Sequence, residues 1–163
     1  MERRSLHEVK KICIFLIVAN LPFLTVAHLM GIEVFIESFQ HPDAYQCIKT
    51  YEVINDDIPK GYLILETPTH QHFLIQNGDT ILYRTGEGAV RCEPVLNVAF
   101  RQGITIYYTT TPAQGDITGP IYETQILGKV TGTIEDNIWN ALCLQIWDYS
   151  IKNLNAITYF GKI

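Results

Sequence analysis

The chain has 163 residues and a formal net charge of −5, with 12 Lys and Arg against 17 Asp and Glu. That length suits one domain of ordinary size plus an anchor, and the acidic balance excludes the broad basic surface that nucleic acid binding needs. Charged residues make up 18% against 47% hydrophobic ones, and the apolar excess is gathered near the N-terminus.

Residues 12–32 contain no Asp, Glu, Lys or Arg. These 21 residues would reach ~31 Å as a helix at ~1.5 Å per residue, about the thickness of a hydrocarbon core. Asn20, Pro22 and His28 interrupt the run; a proline kinks a spanning helix without ending it. Arg3, Arg4, Lys10 and Lys11 precede the run, and Glu33 and Glu37 follow it. The excess of basic residues before it predicts a single-pass membrane protein, with a cytoplasmic N-terminus and an extracytoplasmic domain. A signal peptide cleaved near Thr25-Val26-Ala27 and a buried core helix are the competing readings. The run continues past that cleavage point to Met30 and Ile32, which favours the anchor. The expected organisation is a cytoplasmic tip and anchor over 1–33, a juxtamembrane linker over 34–61, and an extracytoplasmic domain over 62–163.

The linker is expected to hold a short helix and a loop ending at Asp56-Asp57-Ile58-Pro59-Lys60-Gly61. From 62 to 134 the pattern is mainly β. Tyr62-Leu63-Ile64-Leu65 is a short apolar run closed by Pro68. Phe73-Leu74-Ile75-Gln76 and Thr80-Ile81-Leu82-Tyr83-Arg84 flank Asn77-Gly78, which predicts a hairpin because Asn-Gly tolerates positive φ at both central positions. A second hairpin is predicted across Gln102-Gly103, between 95–101 and 104–110. Residues 112–120, with Gly115-Asp116 and Gly119-Pro120, read as a turn-rich loop. The stretch 125–134 reads as a strand broken by Gly128 and Gly132, positions that mark bulges or close backbone approach. Beyond it Trp139, Leu142, Cys143, Ile146, Ile151 and Leu154 recur at helical steps. They predict an amphipathic helix capped by Asp136 or Asn137 that packs on the sheet or lies in a membrane interface.

Four cysteines, Cys13, Cys47, Cys92 and Cys143, fit no zinc spacing. In an oxidising compartment the three in the domain allow one internal disulfide; otherwise they are expected to pack as small hydrophobes. No cofactor motif is present, and no cofactor is expected.

Two stretches resemble the signal peptidase I family in its archaeal and endoplasmic-reticulum branch. The first runs from His70-Gln71-His72-Phe73 through Asn77-Gly78-Asp79 to Tyr83, where that family carries Ser-Met-x-Pro-Thr, then Gly-Asp, then an apolar strand. The second is Tyr108-Thr109-Thr110, Gly115-Asp116 and Ile126-Leu127-Gly128-Lys129-Val130-Thr131-Gly132, similar to the family's Tyr-x-Thr-Lys-Gly-Asp loop and Ile-x-Gly-Lys-Val-x-Gly strand. The resemblance covers residues 69–134. It implies a coiled β-barrel or pair of sheets, and a site in which a serine attacks a peptide carbonyl, a histidine or lysine takes its proton, and an acid orients the base.

The departures change the functional expectation. Counting back from Gly78, the nucleophile slot falls on His70, with Gln71 and Phe73 where the family has Met and Pro. The base slot falls on or beside Glu93, and only the acid slot, Asp116, keeps its type. The sole serines are Ser5, Ser38 and Ser150, none near the motif. Thr69 and Cys92 are substitute nucleophiles, although Thr69 after Pro68 reads first as a turn hydroxyl and a thiol needs a cationic neighbour. Lys129 is a base by analogy with the bacterial dyad, or a solvated edge residue. Asp79 reads as a turn-closing side chain. His70 and His72 at i, i+2 would share one face of a strand, as metal ligands or as contacts for a peptide together with Asp116.

The expectation is therefore a catalytically degenerate signal-peptidase-like membrane protein. It would bind an extended peptide or secretory precursor at a sheet edge, or serve as a subunit beside another membrane protein. The alternatives are an active endopeptidase with an unconventional site and an envelope protein with a His-based metal site.

Overall fold

The computed structural model describes residues 17–50, 60–111 and 115–160, with side chains as far as 153. The basic residues before position 12, Ser5, Cys13, the 56–59 part of the predicted linker turn and positions 112–114 lie outside the described residues. Helices α1 (Ile17–Met30) and α2 (Ile32–Gln40) open the described chain. Strands β1 (Tyr45–Lys49), β2 (Gly61–Glu66), β3 (Thr80–Arg84), β4 (Val90–Arg101), β5 (Ile104–Thr110), β6 (Ile117–Tyr122) and β7 (Ile126–Glu135) follow. Helix α3 (Ile138–Phe160) ends it. The architecture is mainly β: the strands form one antiparallel sheet in the order β1-β2-β7-β3-β4-β5-β6.

The predicted hairpin across Gln102-Gly103 joins β4 to β5, with Arg101 opposite Ile104. Gln102 at φ 53° and Gly103 at φ 81° supply the two left-handed residues that a two-residue turn requires. The Asn77-Gly78 hairpin does not form. Only Gly78 has positive φ there, and β3 already has β4 and β7 as its two neighbours, so no ladder position is open to residues 73–76. That segment instead lies against the sheet and packs Ile75, 4% exposed, into a core cluster with Ile81, Tyr83, Val95 and Tyr107. Asp79 closes its turn as expected, accepting from the Gln76 N–H at 2.8 Å. Two strands escaped the sequence pattern. β1 falls in the predicted linker, and β6 in the predicted loop. Each is an edge strand, half-solvated and short, so its apolar periodicity is poor.

In β7, Thr131 is the extra residue of a bulge, since Ile64 opposes Gly132 while Leu65 opposes Val130. At Gly128 a Cβ would stand 2.8 Å from the Glu66 carbonyl oxygen and 3.1 Å from the Leu65 Cβ. Only glycine permits that approach of β7 to the end of β2.

Helix α3 starts where Asn137 Oδ1 accepts the Asn140 N–H at 2.8 Å, which makes Asn137 the cap. Its inner stripe, Cys143, Leu144, Trp147 and Ile151, packs on Ile64 and Ile134 of the sheet. Val26 and Met30 of α1 belong to the same core, at 0% and 7% exposure. Val26 and Met30 of the apolar run are thus domain core, whereas Ile17, Val18, Leu21, Leu24 and Ile32 are exposed. Gly31, at φ 88°, then turns the chain so that α2 leaves α1 at 113°. Among the described residues no single helix is long and apolar enough to cross a membrane, although the bent pair meets the requirement by length and composition.

Candidate functional site

Direct cross-strand neighbours project from the same face of a sheet. Tyr45, Glu66, Lys129, Ile81 and Glu93 are successive partners across β1, β2, β7, β3 and β4. This row carries two buried polar clusters separated by the fully buried Ile81.

The first cluster is centred on Glu66 and His70. The chain leaves β2 in a turn in which the His70 N–H donates to the Thr67 carbonyl. That turn points the imidazole back over the sheet. His70 Nδ1 lies 2.8 Å from Glu66 Oε1, and Lys129 Nζ lies 2.9 Å from Glu66 Oε2. Lys129 also donates to the Leu74 carbonyl at 3.0 Å, pinning the 73–76 segment. His70 Nε2 is 3.1 Å from Glu37 Oε1 on α2, but off the N–H axis, so the contact is electrostatic without a hydrogen bond. Tyr45 donates to Glu37 Oε2 at 2.8 Å. Burial pushes the Glu66 carboxyl upward, but hydrogen bonds and charge from His70 and Lys129 outweigh it and hold the group below its ordinary value. Burial, reinforced by Glu37, pushes the Tyr45 phenol well above its usual range.

The second cluster surrounds Glu93, 4% exposed. Tyr83 and Thr109 donate to its Oε2 at 2.8 and 2.5 Å, and Thr111 donates to Oε1 at 3.3 Å. Arg91 Nη1 stands 3.6 Å from the same Oε1. Burial and the adjacent carboxylate push the Tyr83 phenol up to about 12, against the opposing hydrogen bond with Thr109.

The three family slots are not brought together. Glu66, which holds His70, is three strands from Glu93, or ~14 Å at the usual ~4.8 Å spacing. Asp116 is exposed; among the described residues its link towards Glu93 is through Thr111, whose N–H donates to the Asp116 carbonyl at 3.0 Å. His70 and His72 do not share a strand face. They sit in a turn, His70 buried and His72 exposed, with ring planes at 88°. Among the described residues no group of three or more His, Cys, Asp or Glu is arranged to hold a metal ion. Lys129 is not a solvated edge residue; it occupies an interior strand and is tied to Glu66.

The substitute nucleophiles are engaged as well. Thr69 donates to the Asp43 carbonyl at 2.9 Å and lies 2.6 Å from the Thr67 hydroxyl. Burial, then the neighbouring Glu93, pushes the Cys92 thiol up to about 12, far from the thiolate that attack requires. Ser38 is buried between the Phe35 carbonyl and the Trp147 indole, and Ser150 bonds to the Ile146 carbonyl. The described cysteines Cys47, Cys92 and Cys143 are thiols.

Glu37, Tyr45 and Glu66 were not legible as site residues. Their partners are remote in sequence or, for Glu66 and His70, at a helical spacing in a segment without a helix. Several clefts among the described residues are open to a ligand, two of them of about 350 Å³ beside His70. Beside edge strand β1 runs a groove of about 600 Å³, lined by Gln46, Cys47, Thr67, Thr69, Trp147 and Asp148 among others. No family model, no curated protein and no solved structure matches this chain.

Proposed function

We propose that this chain is a membrane-associated, non-catalytic relative of signal peptidases whose β domain holds an extended peptide along the outer edge of β1. One observation carries the non-catalytic part. His70, Glu93 and Lys129, the groups that the resemblance nominates for attack or proton transfer, are each committed to buried structural contacts at two separate places. A general base has to reach the proton it abstracts, and a carboxylate already gathering hydroxyls, or a lysine paired with a carboxylate, is poorly placed for that role.

The peptide-binding part is supported by topology. Among the described residues β1 pairs only with β2, so one side of its backbone faces the groove, where an added strand would gain main-chain hydrogen bonds. In an antiparallel pair, adjacent residues turn their N–H and C=O groups alternately toward and away from the partner. Of Gln46 and Cys47, one therefore presents its backbone outward. Gln46→Pro and Cys47→Pro are expected to separate: one weakens folding, and the other leaves the fold intact and lowers affinity at least tenfold for an extended peptide in a fluorescence-anisotropy titration. Equal affinity in both folded variants would remove β1 as the docking edge. Cleavage of a secretory precursor, or a covalent adduct with a peptide-mimicking electrophile, would overturn the non-catalytic reading.

A further inference from the structure

The contacts between α1 and α3 fix the height at which a bilayer can meet this domain. The Trp139 indole donates to the Thr25 hydroxyl at 3.3 Å, and further along α3 the Trp147 indole reaches Ser38 of α2. Helix α3 therefore runs away from the N-terminal end of α1, with its first turn level with Thr25. Just before that turn, Asp136 pairs with Lys49 at 3.4 Å, both side chains more than a third exposed.

If the hydrocarbon boundary lay at residue 32, as the length of the uncharged run suggests, Thr25 would sit ~10 Å inside it at ~1.5 Å per residue. The Asp136–Lys49 pair and the start of α3 would be submerged with it, and charged side chains at that depth cost several kcal/mol. A boundary at Thr25 avoids that. It leaves the exposed Ile17, Val18, Leu21 and Leu24 in lipid. It sets Ile138, Trp139 and Leu142, which are 91%, 43% and 45% exposed and share one helix face, at the water–lipid interface. An indole with an apolar body and a polar edge favours that layer. The charged pair then lies among headgroups.

We propose that the bilayer surface crosses this protein at Thr25 and the first turn of α3, so that the domain rests on the membrane through Ile138, Trp139 and Leu142. This rests on the membrane-associated reading above. The hydrocarbon-facing run is then residues 12–24, which even as a continuous helix reaches only ~20 Å and suits a thin bilayer or one thinned locally.

The full chain in phosphatidylcholine vesicles tests this through Trp139, since the only other tryptophan, Trp147, is buried in the core. Lipids brominated near the glycerol end of the acyl chain should quench the wild type about twofold more than lipids brominated near the chain middle, and Trp139→Phe should abolish that difference. Vesicle retention, which needs no variant, should fall as acyl chains lengthen. Stronger quenching from the chain middle would place the boundary at residue 32 and overturn the proposal. So would retention without quenching, with Trp139 either in water or, if its emission is blue-shifted, covered by a second copy. Failure to co-float with vesicles would overturn the membrane reading itself, a result distinct from all of these.

Discussion

Glu66 shows how one side chain organises a region. It receives His70 from segment 67–79 and Lys129 from β7, and it neighbours Tyr45 on β1. Its carboxyl is held below its ordinary value, so it binds protons less readily folded than unfolded. The stability it contributes is therefore complete above the unfolded glutamate value of about 4.3, and is lost as pH falls through the lowered folded value. Urea midpoints measured from pH 7 to pH 3 should drop in the acid limb, and Glu66→Gln should flatten that limb. The substitution should also lower stability at pH 7 by about 3 kcal/mol, because it removes the carboxylate that both Lys129 and His70 contact. Cys92 gives a second test. Its thiol, raised to about 12 by burial and Glu93, should resist iodoacetamide at pH 8 in the folded protein and react once urea unfolds it.

Among the elements, α3 binds the helices to the sheet. Trp147 is 1% exposed, packs within the core shared by α1, α3, β2 and β7, and donates to Ser38 on α2. Trp147→Ala should cost about 3–5 kcal/mol through lost burial and the cavity left behind, read as a shift of the denaturation midpoint at constant slope. Segment 67–79 is held differently, by Ile75 in its core cluster and by Lys129 on the Leu74 carbonyl. That is why the Asn77-Gly78 signal was misleading. The turn is present, but the residues before it satisfy their burial by lying against the sheet instead of pairing with a strand.

At the level of the whole molecule, α1 and the β domain are one packing unit. Val26 and Met30 close a core cluster with Trp147 and Ile151, so α1 is not a detachable stalk. Deleting residues 1–30 should abolish cooperative unfolding, monitored by near-ultraviolet circular dichroism; a domain tethered by an independent anchor would fold unchanged.

The β character of 62–134, the Gln102-Gly103 hairpin, the close approach at Gly128 and the helix begun at Asn137 were legible in the sequence, because each depends on local backbone preference and periodicity. Tertiary structure decided that His70 is buried against Glu66, that Glu93 stands three strands away, and that edge strands β1 and β6 exist at all. It also divided the described part of the uncharged run, with Ile17, Val18, Leu21 and Leu24 exposed and Val26 and Met30 in the core. These outcomes follow from pairings between residues far apart in the chain, on which local pattern carries no information. Their energies come from desolvation and charge contacts that exist only once the strands are in register.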